Sequence, residues 1–270
     1  MPKALRLAQV SDCHVGATWG PGDPFAGLKA AIAAIAALED PIDALLISGD
    51  VSDNGVDDEY EQAVGVVGSL GVPVYALPGN HDHSERLRSH LGCPGSDGSS
   101  VQYAVDLGDL RLLALDTTLP SHYDGALGPE RLAWLERTLG GAPDTPTLLA
   151  MHHPPFATGI AHMDRIGLAD AAPFAALVRR HPQIERVLAG HLHRPIQARW
   201  AGTLASTAPA PCHQVVLDLD PDGEAAFVME PPGYQLHHYT PGVGLVSHTV
   251  TLGRYPGPYP FHGASGTLLD

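Results

Sequence analysis

Five short apolar runs in this chain each stop at a residue able to bind a metal ion, and this pattern limits the fold more than any other feature. Leu5–Val10 leads to Ser11-Asp12-Cys13-His14, Leu45–Ser48 to Gly49-Asp50, and Val74–Leu77 to Pro78-Gly79-Asn80-His81-Asp82. Leu148–Met151 leads to His152-His153-Pro154, and Val187–Ala189 to Gly190-His191-Leu192-His193. Short apolar runs of this kind read as strands buried on both faces. One Asp-x-His or Gly-Asp pair arises by chance; five in succession at strand ends do not.

Helical patterns lie between the runs. Phe25–Glu39 is rich in Ala and Ile at helical spacing and stops before Pro41. Asp57–Leu70 begins with acidic residues, which favour a helix N-terminus. Pro129–Leu139 opens on Pro and Glu130 and sets Leu132, Leu135 and Leu139 on one face. Ser84–Leu91 and Pro173–Arg180 are shorter helices, and Val101–Leu107 with Leu110–Asp116 makes a hairpin around Gly108-Asp109. Alternating strands and helices predict an α/β layered domain, in which ligands bind beyond the carboxyl ends of the strands.

After about residue 195 the pattern turns to strands and turns: Ile196–Trp200, Thr203–Ser206, Val215–Leu219 and Ala225–Glu230. From Pro231 onward Pro, Gly, His and Tyr dominate, which reads as an irregular extension packed on the core, at the pocket rim or a subunit contact. The expected division is a main domain over residues 1–215 and a C-terminal extension over residues 216–270.

The ligand types point to a two-metal hydrolytic centre. Asp50 suits a bridging position, because its carboxylate has two oxygens and Gly49 lets the backbone turn tightly. Asp12, His14 and His193 would complete the shell of one ion; Asn80, His152 and His191 would complete the other. A mixed nitrogen and oxygen set without thiolate suits two divalent or mixed-valence ions of iron, manganese, zinc or cobalt. Such ions would lie roughly 3.5–4 Å apart and be bridged by a water ionised near neutral pH, so no Ser or Cys nucleophile is needed. His81 is the candidate to steady the phosphoryl oxygens and to protonate the leaving alkoxide. Asp53 is the candidate to orient that imidazole, against a turn role beside Asn54-Gly55. Asp82 competes for the role, or caps the helix Ser84–Leu91. His153 reads as a turn stabiliser beside Pro154-Pro155, Cys13 as a core residue, and His213 as either a substrate contact or loop packing.

Composition narrows the partners. With 30 acidic against 15 basic residues the formal net charge is -15, which argues against a nucleic-acid polymer but not against a small phosphate ester held by metal ions. Three cysteines, Cys13, Cys93 and Cys212, make no disulfide framework. Met1–Val10 lacks the basic start and long apolar core of a signal peptide, and the longest apolar stretch, Ala30–Leu38, is too short to span a bilayer. A cytoplasmic enzyme without a membrane partner is expected. Of the 16 histidines, His90, His122, His181, His248 and His262 have no motif around them and read as surface or loop residues.

Taken together, Asp12-x-His14, Gly49-Asp50, Gly79-Asn80-His81-Asp82, His152 and Gly190-His191-x-His193 resemble the calcineurin-like metallophosphoesterase superfamily over about residues 5–215. The resemblance implies a two-sheet β-sandwich flanked by helices, with a binuclear centre at the strand ends. Ile47-Ser48-Gly49-Asp50, Met151-His152-His153-Pro154-Pro155, Met163-Asp164 and Cys212-His213-Gln214 are similar to class III cyclic nucleotide phosphodiesterases and bacterial glycerophosphodiesterases. That similarity implies a small phosphodiester substrate, with a 3′,5′-cyclic nucleotide favoured and, as alternatives, a glycerol diester or a broad range of phosphodiesters and phosphomonoesters. It places Asn80, His81, Met163 and His213 at the substrate and implies a homodimer or higher homo-oligomer. A protein phosphatase fits less well, since no Arg lies close to Asp50; Arg194 is the nearest to a ligand, followed by Arg86 and Arg88. A scaffold that has lost catalysis would be expected to lose ligands, and all seven are present.

Overall fold

The computed structural model describes residues 4–94 and 100–262. The start of the expected Met1–Val10 run and the end of the 216–270 extension lie outside the described residues. In chain order the elements are β1 (Leu5–Val10), α1 (Pro24–Ala36), β2 (Ala44–Ser48), α2 (Asp57–Val67), β3 (Val74–Leu77), α3 (Ser84–Leu91), β4 (Tyr103–Leu107) and β5 (Leu110–Ala114). There follow α4 (Gly128–Gly140), β6 (Thr147–Ala150), α5 (Ala161–Asp164), α6 (Ala171–Val178), β7 (Ile184–Ala189), β8 (Gln197–Trp200) and β9 (Thr203–Thr207). The chain continues with β10 (Gln214–Val215), β11 (Phe227–Val228), β12 (Gly233–Thr240) and β13 (Gly244–Thr251).

Two sheets carry the architecture, a five-stranded one in the order β13-β12-β1-β2-β3 and a six-stranded one in the order β4-β5-β6-β7-β9-β8. The apolar clusters show how they stack. In β5, β6 and β7, Leu112, Leu148 and Leu188 join the large core built on the first sheet with α1 and α2. Their neighbours Leu113, Leu149 and Val187 face the other way, onto Leu135 and Leu139 of α4 and Phe174 of α6. Alternation of period two therefore gives the second sheet two buried faces, and the layers run helix, sheet, sheet, helix.

Local chemistry explains the helix limits. The Asp23 carboxylate accepts from the Ala26 N–H at 2.9 Å and Pro24 opens α1, whose buried Leu28, Ala31, Ile32 and Ile35 lie on one face. In α2 the first-turn acids face the helix dipole favourably, and the expected run to Leu70 tightens after Val67 into a 3₁₀ turn over Gly68–Leu70.

Two expectations need correction. The segment after Pro231 is not irregular: β12 lies antiparallel beside β1, with Leu7 opposite His237 and Gln9 opposite Gln235, and β13 pairs along the whole length of β12. The inward positions on β12 include Gln235 and His237, so alternation exists but not in hydrophobicity. Gln235 donates to the Thr207 carbonyl at 2.9 Å, and the His237 Nε2–H donates to Gln9 Oε1 at 3.0 Å. Secondly, the strands expected over Val215–Leu219 and Ala225–Glu230 shrink to the two-residue pair β10 and β11, while Leu217 and Leu219 are exposed.

Candidate metal centre

Parallel pairing brings the motifs together. Val10 lies opposite Ile47, Ser48 opposite Leu77, and Ala150 opposite Leu188, so the polar residues following each strand emerge at one edge of the sandwich. Backbone bonds continue the ladder past the strands: the Asp12 N–H donates to Gly49 O at 3.0 Å and the His14 N–H to Asp50 O at 2.9 Å. Other bonds cross between the sheets. The His152 ring donates from Nδ1 to Ser48 O at 2.9 Å, and the His191 N–H donates to Asp12 Oδ1 at 2.9 Å. All seven candidate ligands converge, six of them buried and Asn80 partly so.

Asp50 Oδ2 sits at the centre, 3.5 Å from His14 Nε2 and 3.4 Å from His152 Nε2. Its other oxygen accepts the His81 backbone N–H at 2.9 Å. On one side lie His193 Nε2, 3.3 Å from His14 Nε2, and Asp12 Oδ1, 3.6 Å from His193 Nε2. On the other, His152 Nε2 is 3.2 Å from Asn80 Oδ1 and 3.3 Å from His191 Nδ1. The two groups meet at the centre, where ligand atoms of Asp12, Asp50 and His152 also lie within 4.8 Å of one another.

The residues present fit cations. His14 commits Nδ1 to the Asp53 carboxylate and His193 directs Nδ1 at the His213 carbonyl, so the two Nε2 atoms meet as lone pairs. His152, with Nδ1 given to Ser48, likewise presents Nε2 to Asn80 and Asp50. Only a proton or a metal ion relieves such contacts. His191 Nε2 is buried without a hydrogen-bond partner, as suits a ring oriented by what its Nδ1 binds. The electrostatics agree. Burial, with neighbouring imidazoles, holds His191 and His193 well below the usual histidine range, hence neutral and able to ligate. Burial also opposes charge on His152 and Asp50, but their mutual attraction prevails, lifting His152 to about 9 and holding Asp50 well below the carboxylate range. Asp12 is raised by burial, with Asp50 adding to it.

Backbone strain marks the same residues. Seven described non-glycine residues have positive φ, and five are Asp12 (56°), His14 (43°), Asp50 (51°), His191 (69°) and His193 (52°). Left-handed backbone costs L-residues on the order of 1–3 kcal/mol each, and it persists where surrounding structure imposes it for a function. Gly79 explains how close the strands come: a Cβ there would meet Asp50 Oδ1 at 2.1 Å.

Around the ligands the remaining candidates separate. His81 is partly exposed and gives Nδ1 to the Asp53 carbonyl at 3.0 Å, which leaves Nε2 for the adjoining cavity. The Asp53 carboxylate is 3.5 Å from that ring, but its closer partners are His14 Nδ1 at 3.0 Å and the Trp19 indole at 3.2 Å. The expected carboxylate clamp on His81 is thus mainly a clamp on the candidate ligand His14, because one torsion turns Asp53 toward it. Asp82 neither orients His81 nor caps α3, whose N-cap is His83. Its partly buried carboxyl, raised to about 6 by desolvation and by Asp50, accepts from the N–H groups of Gly79, Val51 and Ser52 and from the Tyr60 hydroxyl. His153 ties Thr117 Oγ1 at 2.8 Å to the Tyr123 carbonyl at 3.0 Å, and Cys13 packs in the core. Met163 and His213 line the cavity, whereas Asp164 accepts from Thr158 and Gly159 and stabilises its own loop.

This cavity, about 330 Å³, opens over the ligands and is also walled by Trp19, Tyr123 and Phe227. These three aromatic residues are missing from the sequence-based candidates. The signal available for Trp19 is its place in the Gly-rich loop directly after His14.

A site of this make-up belongs to the metal-dependent hydrolases. The calcineurin-like phosphoesterase family model matches residues 5–195, and the chain belongs to that family. It is therefore a metallophosphoesterase. It is 36% identical to a probable glycerophosphodiester phosphodiesterase from Arcobacter nitrofigilis, covering 98% of this chain and 99% of the relative. It is 35% identical to a probable cyclic nucleotide phosphodiesterase from Synechococcus, covering 85% of this chain and 89% of that one. A dimetal phosphatase from Danio rerio shares the fold, with a TM-score of 0.64 at 15% identity over 92% of this chain and 99% of that structure.

Proposed function

We propose that the chain hydrolyses small phosphodiesters with two metal ions held by Asp12, His14, Asp50, Asn80, His152, His191 and His193. The observation that carries this reading is the wall of the cavity: it contains His14, Asp50, Asn80, His191 and His193 of the ligand set, the further histidines His81, His162 and His213, and aromatic or apolar side chains, with no Lys or Arg among the described lining residues. Arg194, the nearest arginine in sequence, is spent on Val215 O and Glu230. A dianionic phosphomonoester would meet no Lys or Arg there, whereas a diester brings a single negative charge and two substituents to seat. When bound, divalent ions act as Lewis acids on the phosphoryl group and bring ionisation of water within reach of neutral pH.

The chain's own groups then have defined work. Asn80 and His81 face the phosphoryl oxygens from the first sheet, while Met163 and His213 face the substituents. His81, with Nδ1–H held by the Asp53 carbonyl, presents Nε2 in the cavity and in its imidazolium form delivers a proton to the departing alkoxide. Asp53 acts on the centre through His14. The extension expected after residue 215 contributes β12 and β13 to the first sheet and reaches the pocket rim through Ala225, Ala226 and Phe227.

A glycerophosphodiester is the first substrate in this proposal, because similarity to a relative so named runs through β12 and β13 to nearly the whole chain. The 3′,5′-cyclic nucleotide favoured by the motifs is the second reading, supported by the aromatic wall of Trp19, His213 and Phe227, on which a base can stack. Manganese, iron, zinc and cobalt all suit the donor set. No helix among the described residues is long and apolar enough to cross a membrane, and a cytoplasmic setting is part of the proposal, in keeping with three buried cysteines. So is a homo-oligomeric state, supported by the exposed Tyr255, Tyr259 and Phe261.

The test is kcat/KM of manganese-reconstituted protein on glycerophosphoethanolamine, 3′,5′-cyclic AMP, 2′,3′-cyclic AMP and a phosphomonoester. A preference of about a hundredfold for one diester, some 2.7 kcal/mol of transition-state binding, names the class. A preference for the monoester removes the reading.

A further inference from the structure

Trp19 stands at the mouth of the cavity with about half of its surface exposed (49%), yet its indole N–H turns inward. It donates to both carboxylate oxygens of Asp53, at 3.2 Å each. One of these oxygens also accepts the His14 Nδ1–H at 3.0 Å, which fixes the tautomer that aims the Nε2 lone pair into the ligand cluster. The ring of Trp19 meets His213 edge-on at 4.6 Å and Phe227 at 5.1 Å, and these three together form one wall of the cavity. A single side chain thus touches the space where substrate sits and, through one carboxylate, a ligand.

A Phe or Leu could line that wall, but neither could hold Asp53. With His14 as its only donor, the Asp53 carboxylate would be free to rotate about its last torsion, which is broad for Asp. Two donors, five residues apart in the loop that follows β1, fix its plane and, through it, the His14 ring. A substituent packed on the indole restricts the indole and therefore restricts this chain of contacts.

We propose that Trp19 is a positioning residue that ties occupancy of the substrate cavity to the order of His14, acting through Asp53. The coupling to occupancy rests on the phosphodiesterase reading; the hold on His14 rests on the ligand geometry alone.

Two variants separate the functions. Trp19→Phe keeps an aromatic wall and removes the N–H, and Trp19→Ala removes both. Mn²⁺ affinity is measured by titration calorimetry on metal-stripped protein, the ligand field by the visible spectrum of the Co²⁺-loaded protein, and turnover on bis(4-nitrophenyl) phosphate. Trp19→Phe is expected to weaken Mn²⁺ binding by about tenfold, the low end of the effect of losing a partner of a ligating histidine, because Asp53 itself stays beside His14. It should also alter the Co²⁺ spectrum and lower kcat while leaving KM within about twofold. Trp19→Ala should repeat the loss of Mn²⁺ affinity and raise KM as well. Asp53→Asn, made alongside, should alter the Co²⁺ spectrum in the same way. Melting temperatures of the metal-free proteins, expected to agree, confirm that folded chains are compared. If Trp19→Phe binds Mn²⁺ as tightly as the parent with the same Co²⁺ spectrum, the positioning role is overturned whatever turnover does. If the parent hydrolyses no diester while Trp19→Phe still loses Mn²⁺ affinity, the phosphodiesterase reading fails and the hold on His14 stands.

Discussion

His152 donates its Nδ1–H to the Ser48 carbonyl at 2.9 Å, which ties the second sheet to the end of β2 immediately before Asp50. That bond sets the side-chain-free position next to it. Gly49 has φ of +97°, and a Cβ there would meet His152 Nδ1 at 2.2 Å.

Gly49→Ala should therefore damage the centre from outside the ligand set. The left-handed backbone alone costs an L-residue on the order of 1–2 kcal/mol, before His152 is displaced. Urea denaturation should show at least this loss, and metal analysis a reduced content. A variant with parental stability and full metal content would contradict the packing described.

Replacing Asp53 separates its two contacts. Asn retains the backbone carbonyl that holds His81 but weakens the side-chain acceptor for His14 and Trp19. Asp53→Asn should weaken metal binding by about tenfold or more while leaving the dependence of rate on leaving-group pKa unchanged. A change in that dependence with parental metal affinity would restore the carboxylate clamp on His81 expected from the sequence.

His81→Ala should slow hydrolysis of alkyl diesters by about 10²–10⁴-fold, the range of general acid catalysis, and slow nitrophenyl diesters much less. The nitrophenolate leaves without a proton. Equal losses on both substrates would remove His81 from the donor role.

Acid should destabilise the fold through a residue remote from the metals. His237, fully buried between Gln9 and Ser247, is held down to about 3 by burial, with the Arg186 guanidinium adding to it, against an ordinary 6.5. Between these values the unfolded chain binds the extra proton. His237 thus makes its full contribution above pH 6.5 and loses it as pH falls toward 3, at a slope on the order of 1.4 kcal/mol per pH unit. Denaturation at pH 7 and pH 5 should show a shallower acid loss in His237→Gln than in the parent. An unchanged slope would mean that the ring is protonated in the fold.

What the sequence made legible follows from the kind of residue involved. Strands β1, β2, β3, β6 and β7 are mostly apolar and stop shortly before Asp, Asn or His, so the fold layers and the convergence of the candidate ligands could be read from spacing. Strand β12 could not, because Gln235 and His237 occupy inward positions and bond across to β9 and β1 instead of burying hydrocarbon. Trp19 was hidden for a different reason: its partner, Asp53, lies 34 residues away, and only the folded loop brings them together. The true partner of the Asp53 carboxylate was equally out of reach, since His14 and His81 both lie within 3.5 Å of it and a side-chain torsion chooses between them.

The most direct test of the centre is metal content and diester turnover measured together on the parent and on Asp50→Ala, whose missing oxygen is the one shared by both ligand groups. The parent should bind two Mn²⁺ per chain and hydrolyse diesters; Asp50→Ala should lose metal and fall by about a thousandfold or more, as expected where Lewis acidity supplies several kcal/mol. Full turnover in metal-stripped parent or in Asp50→Ala would contradict a metal-dependent phosphodiesterase built on these seven residues.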